Sequence, residues 1–190
     1  MLITTDLKVG YTSQLIPDVN LHIGSQTKVW IRGTNGVGKT PLIKPLLRKI
    51  PMLGGRFAFH PAAKIGYIEQ DLNFDNGNLP AYAVYQNAFP RASQKEIRSA
   101  LAKVGIAGEL ATKPVCNLSG GEMMRLKLAI MTQTSSNILI LDEPTNHLDI
   151  KAKRALKEAI QNYGGALILV THEPDFAEGI CNVVVDIKAK

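Results

Sequence analysis

Gly33-Thr34-Asn35-Gly36-Val37-Gly38-Lys39-Thr40 carries the spacing G-x-x-x-x-G-K-[ST]. An apolar, strand-like run at residues 29–31 precedes it and a helical run follows, the setting a phosphate-binding loop requires. Glycines let the backbone wrap an anion closely, so that successive N–H groups point inward at phosphate oxygens. The helix opening behind them adds the positive end of its dipole. In that setting Lys39 reaches the β- and γ-phosphates and the Thr40 hydroxyl ligates Mg2+. The competing reading is a glycine-rich turn that matches by chance. Pro41 and Pro45 follow. Pro41 has no N–H to give a phosphate, and the Pro45 ring crowds the carbonyl at Pro41. These residues predict an irregular first helical turn and weakened nucleotide binding.

Two acids stand at the end of a second apolar run: residues 138–141 lead directly into Asp142 and Glu143. A run without polar alternation suits a central parallel strand buried on both faces. Carboxylates at its end sit at the C-terminal edge of the sheet, where open α/β sheets bind ligands. There Asp142 would hold Mg2+ through coordinated water, and Glu143 would accept a proton from an attacking water. Without the phosphate loop, the same pair reads as two solvated acids. His172 follows the apolar run 166–170 in the same way, and would point at the same phosphate or be an unremarkable histidine at a strand end.

Leu118-Ser119-Gly120-Gly121-Glu122 forms a third constellation. Ser119 with Glu122 three residues later is a capping box, so a helix starts here. Two glycines beside the cap leave its N–H groups open to an anion, or simply make a glycine-containing helix start. Tyr11, after Gly10, is a surface or core aromatic, or a stacking platform for adenine.

The elements that must position these residues alternate between strand and helix. Residues 2–9, 21–25, 28–32, 57–59, 65–68 and 183–187 read as further strands. Gln70 opens a polar passage through residue 79, a loop or hinge. Residues 80–111 turn helical, with Ile97, Leu101 and Val104 on one face, and residues 113–117 break the pattern. Asp149 is a candidate N-cap for a helix made basic by Lys151, Lys153, Arg154 and Lys157, a pattern that usually marks a solvated face.

With 190 residues the chain can bury a substantial core and is most simply one domain. Its 45% hydrophobic and 20% charged content is ordinary for a soluble globular protein. Apolar runs are strand-length, well short of the ~20 residues of a membrane span. No basic segment followed by a long apolar core opens the chain, so no secretory signal is expected. Cys116 and Cys181 lack metal-ligand spacing, which predicts reduced thiols in a cytoplasmic protein. A net charge of +6 permits RNA, DNA or anionic lipid as a partner without demonstrating one.

Taken together and in this order, Tyr11, the loop at 33–40, Gln70, Leu-Ser-Gly-Gly-Glu at 118–122, Asp142-Glu143, Asp149 and His172 resemble the ATP-binding-cassette (ABC) ATPase family over nearly the whole chain. The resemblance implies an α/β fold: a P-loop NTPase core with a mostly parallel sheet, a small antiparallel β subdomain and a helical subdomain inserted at about 71–117 of a single domain spanning 1–190. It implies ATP and Mg2+ as cofactors, cradled by Gly33, Thr34, Asn35, Gly36, Val37, Gly38, Lys39, Thr40 and Pro41. Thr40, Gln70 and Asp142 would lie at the metal, and Glu143, His172 and Gln70 around the attacking water and γ-phosphate. Family members pair head to tail, so Ser119, Gly120, Gly121 and Glu122 would meet nucleotide bound by a second ABC domain, in the same chain or a second copy. Asp149 would lie at that interface. Glu143-Pro144-Thr145-Asn146-His147-Leu148-Asp149 resembles the ABC-F group, tandem proteins without membrane domains, many acting on the ribosome. The alternatives are the ATP-binding subunit of a membrane transporter, docking on a separate membrane protein, and a nucleotide-dependent clamp with weak hydrolysis.

Overall fold

The computed structural model describes the chain except residues 34–38, 70–73, 75–76, 135, 147 and 189–190, and the side chains of Thr40 and Thr132. In chain order the elements are β1 (Leu2–Lys8), β2 (His22–Ile23), β3 (Lys28–Arg32), α1 (Lys39–Leu46), β4 (Gly54–Phe59), β5 (Ile65–Ile68), α2 (Ala81–Ala88), α3 (Gln94–Lys103) and α4 (Glu109–Thr112). After a 3-10 turn at Val115–Asn117 come α5 (Gly120–Gln133), β6 (Ile138–Asp142), α6 (Ile150–Gln161), β7 (Ala166–Val170), α7 (Pro174–Ala177) and β8 (Val183–Asp186). Two compact units result. One comprises Met1–Tyr67, Ser136–Pro144 and Gly164–Lys190; the other comprises Ile68–Ser135 and Thr145–Tyr163.

The first unit holds two sheets. β6 and β7 are buried at every position, as their unbroken apolar sequences require. They lie inside a five-stranded sheet of order β5-β6-β7-β3-β8, in which β6 pairs parallel with β7, and β3 pairs parallel with both β7 and β8. Parallel strands end at the same edge, so the chain leaves β3, β6 and β7 side by side. A three-stranded sheet, β2-β1-β4, is antiparallel, and its β1–β4 pairing slips between Thr5 and Lys8. Gly55 accommodates that slip at φ +76°: a Cβ there would stand 2.2 Å from the Asp6 carbonyl oxygen. One apolar cluster, including Leu2, Ile23, Ile31, Ile140 and Ile168, fills this unit.

Helix α1 runs unbroken through Pro41 and Pro45 and then stops. Arg48 adopts φ +56°, its N–H reaches the Pro45 carbonyl at 2.8 Å, and the Lys49 N–H reaches that of Lys44 at 2.9 Å. That is a Schellman ending with arginine where glycine is usual.

The second unit is helical. Tyr85, Ile97, Leu101 and Leu126 centre its core. The stretch expected to be helical over 80–111 holds three helices. Phe89 to Ser93 interrupts it, and a second capping box restarts it: Ser93 Oγ accepts the Glu96 N–H at 3.3 Å while Glu96 Oε2 accepts the Ser93 N–H at 2.8 Å. Gly105 at φ +74° closes α3, and Val104, its half-buried C-cap, packs against the same core as Ile97 and Leu101. α5 and α6 belong to this unit together with α2, α3 and α4. Among the described residues no helix is long and apolar enough to cross a membrane.

Candidate functional site

Lys39 opens α1 and is only 6% exposed. A buried ammonium needs partners, and among the described residues Lys39 donates to the Gly33 carbonyl at 2.8 Å and lies 3.0 Å from Glu143 Oε1. Lys39 therefore ties the end of β3 to the end of β6.

Glu143 stands one residue beyond β6 with φ +47°, a left-handed conformation uncommon for a residue bearing a side chain. Its N–H donates to the Val170 carbonyl at 2.8 Å, continuing the β6–β7 ladder beyond the Asp142–Val170 pair. The turn places its carboxylate between two elements. Oε1 meets Lys39, and Oε2 lies 2.8 Å from His172 Nδ1 and 3.3 Å from the His172 backbone nitrogen, which donates to it. Asp142, the last residue of β6, is 1% exposed. Sequence reasoning named all four side chains, and the parallel sheet brings them to one edge.

Sequence reasoning missed the support beneath His172. Trp30, on β3, donates its indole N–H to the Thr171 carbonyl at 2.9 Å, and Thr171 Oγ1 accepts the Glu173 N–H at 3.1 Å. The position of Trp30 three residues before Gly33 offered a signal: a tryptophan on a buried strand needs an acceptor for its N–H.

The remaining expected residues fall elsewhere. Thr34, Asn35, Gly36, Val37, Gly38, Gln70 and His147 lie outside the described residues, as does the Thr40 side chain. Tyr11 is 59% exposed and so offers an open ring. Ser119, Gly120, Gly121 and Glu122 open α5 in the helical unit, with the expected capping box: Ser119 Oγ accepts the Glu122 N–H at 3.3 Å, and Glu122 Oε2 accepts the Ser119 N–H at 2.8 Å. Asp149 caps α6, its Oδ1 accepting the Ala152 N–H at 2.7 Å.

The donor set in the first unit fits a polyphosphate. A buried ammonium at a helix start, held by a carbonyl and a carboxylate, can exchange either for phosphate oxygens. Among the described residues no three His, Cys, Asp or Glu side chains form a cage for a metal. Mg2+ needs none: it takes one or two protein ligands and completes its shell with phosphate oxygens and water. Asp142, at the strand end next to Glu143, is the fitting carboxylate.

The sequence profile of the ABC transporter family matches residues 16–146. The chain belongs to this family. Its ABC domain is 42% identical over 173 residues to YfmM of Bacillus subtilis, an uncharacterized ABC transporter ATP-binding protein, covering 91% of this chain and 33% of YfmM. It is 39% identical over 158 residues to human ATP-binding cassette sub-family F member 3, covering 82% of this chain and 22% of that protein. The chain thus spans a third or less of these relatives. Among solved structures, a Pyrococcus furiosus protein described as a candidate ABC transporter (ATP-binding protein) superposes with a TM-score of 0.82 at 22% identity, covering 97% of this chain and 96% of its own. That likeness establishes the fold: the ABC domain is a mixed α/β P-loop domain with a parallel five-stranded sheet and a separate antiparallel one. By sequence it is like the domains of sub-family F.

Proposed function

We propose that the ABC domain binds ATP with Mg2+ and hydrolyses it when two such domains pair head to tail. The observation that carries this reading is the Glu143 carboxylate, held between Lys39 and His172 at the edge where the phosphate loop begins. Bound Mg2+ supplies charge neutralisation at the β- and γ-phosphates. Lys39 exchanges Glu143 for phosphate oxygens, which frees Oε1 to take a proton from a water attacking the γ-phosphorus. The bond from phosphorus to the bridging oxygen breaks, leaving ADP and inorganic phosphate. His172, fixed through Nδ1 by Glu143, presents its other ring nitrogen to the γ-phosphate. Gln70 approaches the metal and the water, and Tyr11 stacks on adenine. Ser119 and Gly121 complete the site of the second domain, which lies in the same longer chain or in a second copy.

The test is phosphate release measured over a range of protein concentrations. Wild type should show a rate per domain that rises with concentration, as pairing requires. Glu143→Gln should lower the turnover rate by roughly 100-fold or more, the usual worth of a general base, while still binding ATP. Lys39→Ala should lose ATP binding; unchanged binding would overturn the reading.

We further propose an ABC-F role on the ribosome in the cytoplasm, supported by the Glu143–Asp149 sequence and the sub-family F relative. Co-sedimentation with ribosomes across a salt series should show binding that depends on ATP. Binding indifferent to nucleotide would count against ABC-F and favour docking on a transporter's membrane domain. ATP-stable dimers of both wild type and Glu143→Gln would favour a clamp with weak hydrolysis.

A further inference from the structure

Helices α5 and α6 meet at their first turns with nothing between them but a hydrogen atom. Gly121 is the second residue of α5, and a Cβ built on it would stand 2.7 Å from the Ala152 Cβ. Methyl carbons approach no closer than about 3.5 Å without repulsion, so only glycine fits. Ala152 cannot easily retreat. It is 8% exposed, and its N–H is held at 2.7 Å by the Asp149 cap. On the other side, the Ser119–Glu122 capping box takes the third N–H of α5. The N–H groups of Gly120 and Gly121, at the first two helical positions, have no acceptor within the helix.

We infer that Ala152 is a positioning residue for the Ser119–Glu122 helix start. Its contact with Gly121, anchored by Asp149, sets the direction of the two glycine N–H groups. The loop ending at Asp149 and the Leu-Ser-Gly-Gly-Glu turn therefore move as one body. A shift at Asp149 is transmitted through Ala152 to the groups offered to the other domain's nucleotide. The inference rests on the proposed head-to-tail pairing. It adds a residue, Ala152, that neither capping box nor phosphate chemistry singles out.

A size exchange tests it, in the Glu143→Gln background that slows hydrolysis. Pairing with ATP is read by sedimentation velocity, and integrity by melting temperature. Gly121→Ala should weaken ATP-dependent pairing by roughly tenfold through overpacking. Adding Ala152→Gly should restore it to within about threefold of the Ala152→Gly single variant, since substitutions at two residues in contact do not simply add. Adding Ala159→Gly, which carries the same helix-propensity cost on α6 without the contact, should not. Equal pairing by Gly121→Ala and its parent, or rescue by both or by neither alanine replacement, would overturn the positioning role. A parent that does not pair with ATP would overturn the pairing reading and this role with it. Melting temperatures would still decide the contact: if Ala152→Gly fails to relieve the Gly121→Ala loss, the packing itself is wrong.

Discussion

The Lys39 ammonium and the Glu143 carboxylate stand 3.0 Å apart with side chains 6% and 9% exposed. The cation proposed for phosphate and the carboxylate proposed as base thus neutralise each other in a nearly dry place. Removing one member of such a pair strands the other charge, which costs far more than removing both. Lys39→Met should therefore destabilise the nucleotide-free domain by about 3 kcal/mol. The Lys39→Met, Glu143→Gln double variant should recover most of that loss. Urea denaturation without nucleotide measures both, and equal losses would contradict the pairing.

Trp30 should matter to His172 although it does not touch the imidazole. Trp30→Phe keeps a ring on the strand but deletes the donor to the Thr171 carbonyl, leaving a buried acceptor unmet. The expected loss is about 1–3 kcal/mol in thermal or urea unfolding. The His172 imidazole nitrogen resonances should shift as well, because the peptide leading into His172 loses its anchor. Unchanged resonances would confine Trp30 to packing.

Pro41 is buried in the first turn of α1 and brings no N–H to the loop. Pro41→Thr should tighten nucleotide binding by about tenfold, the worth of one hydrogen bond to a charged group. Calorimetric titration of both proteins decides it. Equal affinities would mean that this position faces no phosphate.

The two thiols should differ. Cys116 is exposed, whereas burial pushes the Cys181 thiol up from 9.0 to about 12. At pH 8 iodoacetamide should modify Cys116 well before Cys181, as read by mass spectrometry. The shift also sets a pH dependence. The folded state favours the protonated thiol, so the Cys181 contribution to stability is whole below pH 9 and declines as pH rises toward 12. Cys181→Ala should flatten that decline.

The elements of the candidate site were legible where local chemistry dictates structure. The unbroken apolar runs before Asp142 and His172 became fully buried parallel strands, and Ser119 with Glu122 became a capping box. The helical region was less legible. Ser93 with Glu96 carries the same S-x-x-E pattern as Ser119 with Glu122, and Pro90 precedes it, whereas the stripe of Ile97 and Leu101 carries no mark of the break before it. Apolar periodicity reports a buried face; it does not report where one helix hands over to the next.

By itself the sequence determined the residue types, their order and the strand ends on which they sit, because those follow from spacing, burial pattern and capping. Tertiary structure alone decided which partners they keep. That Glu143 turns into the left-handed region to meet Lys39 and His172 depends on the β6–β7 ladder continuing through its N–H. That Trp30 reaches Thr171, and that Gly121 has room for nothing larger than hydrogen beside Ala152, depends on elements far apart in the chain being packed together. Spacing along a chain is local information, whereas a hydrogen bond or a close contact across more than a hundred residues, such as that from Trp30 to Thr171, exists only once the sheet has put its strands in register.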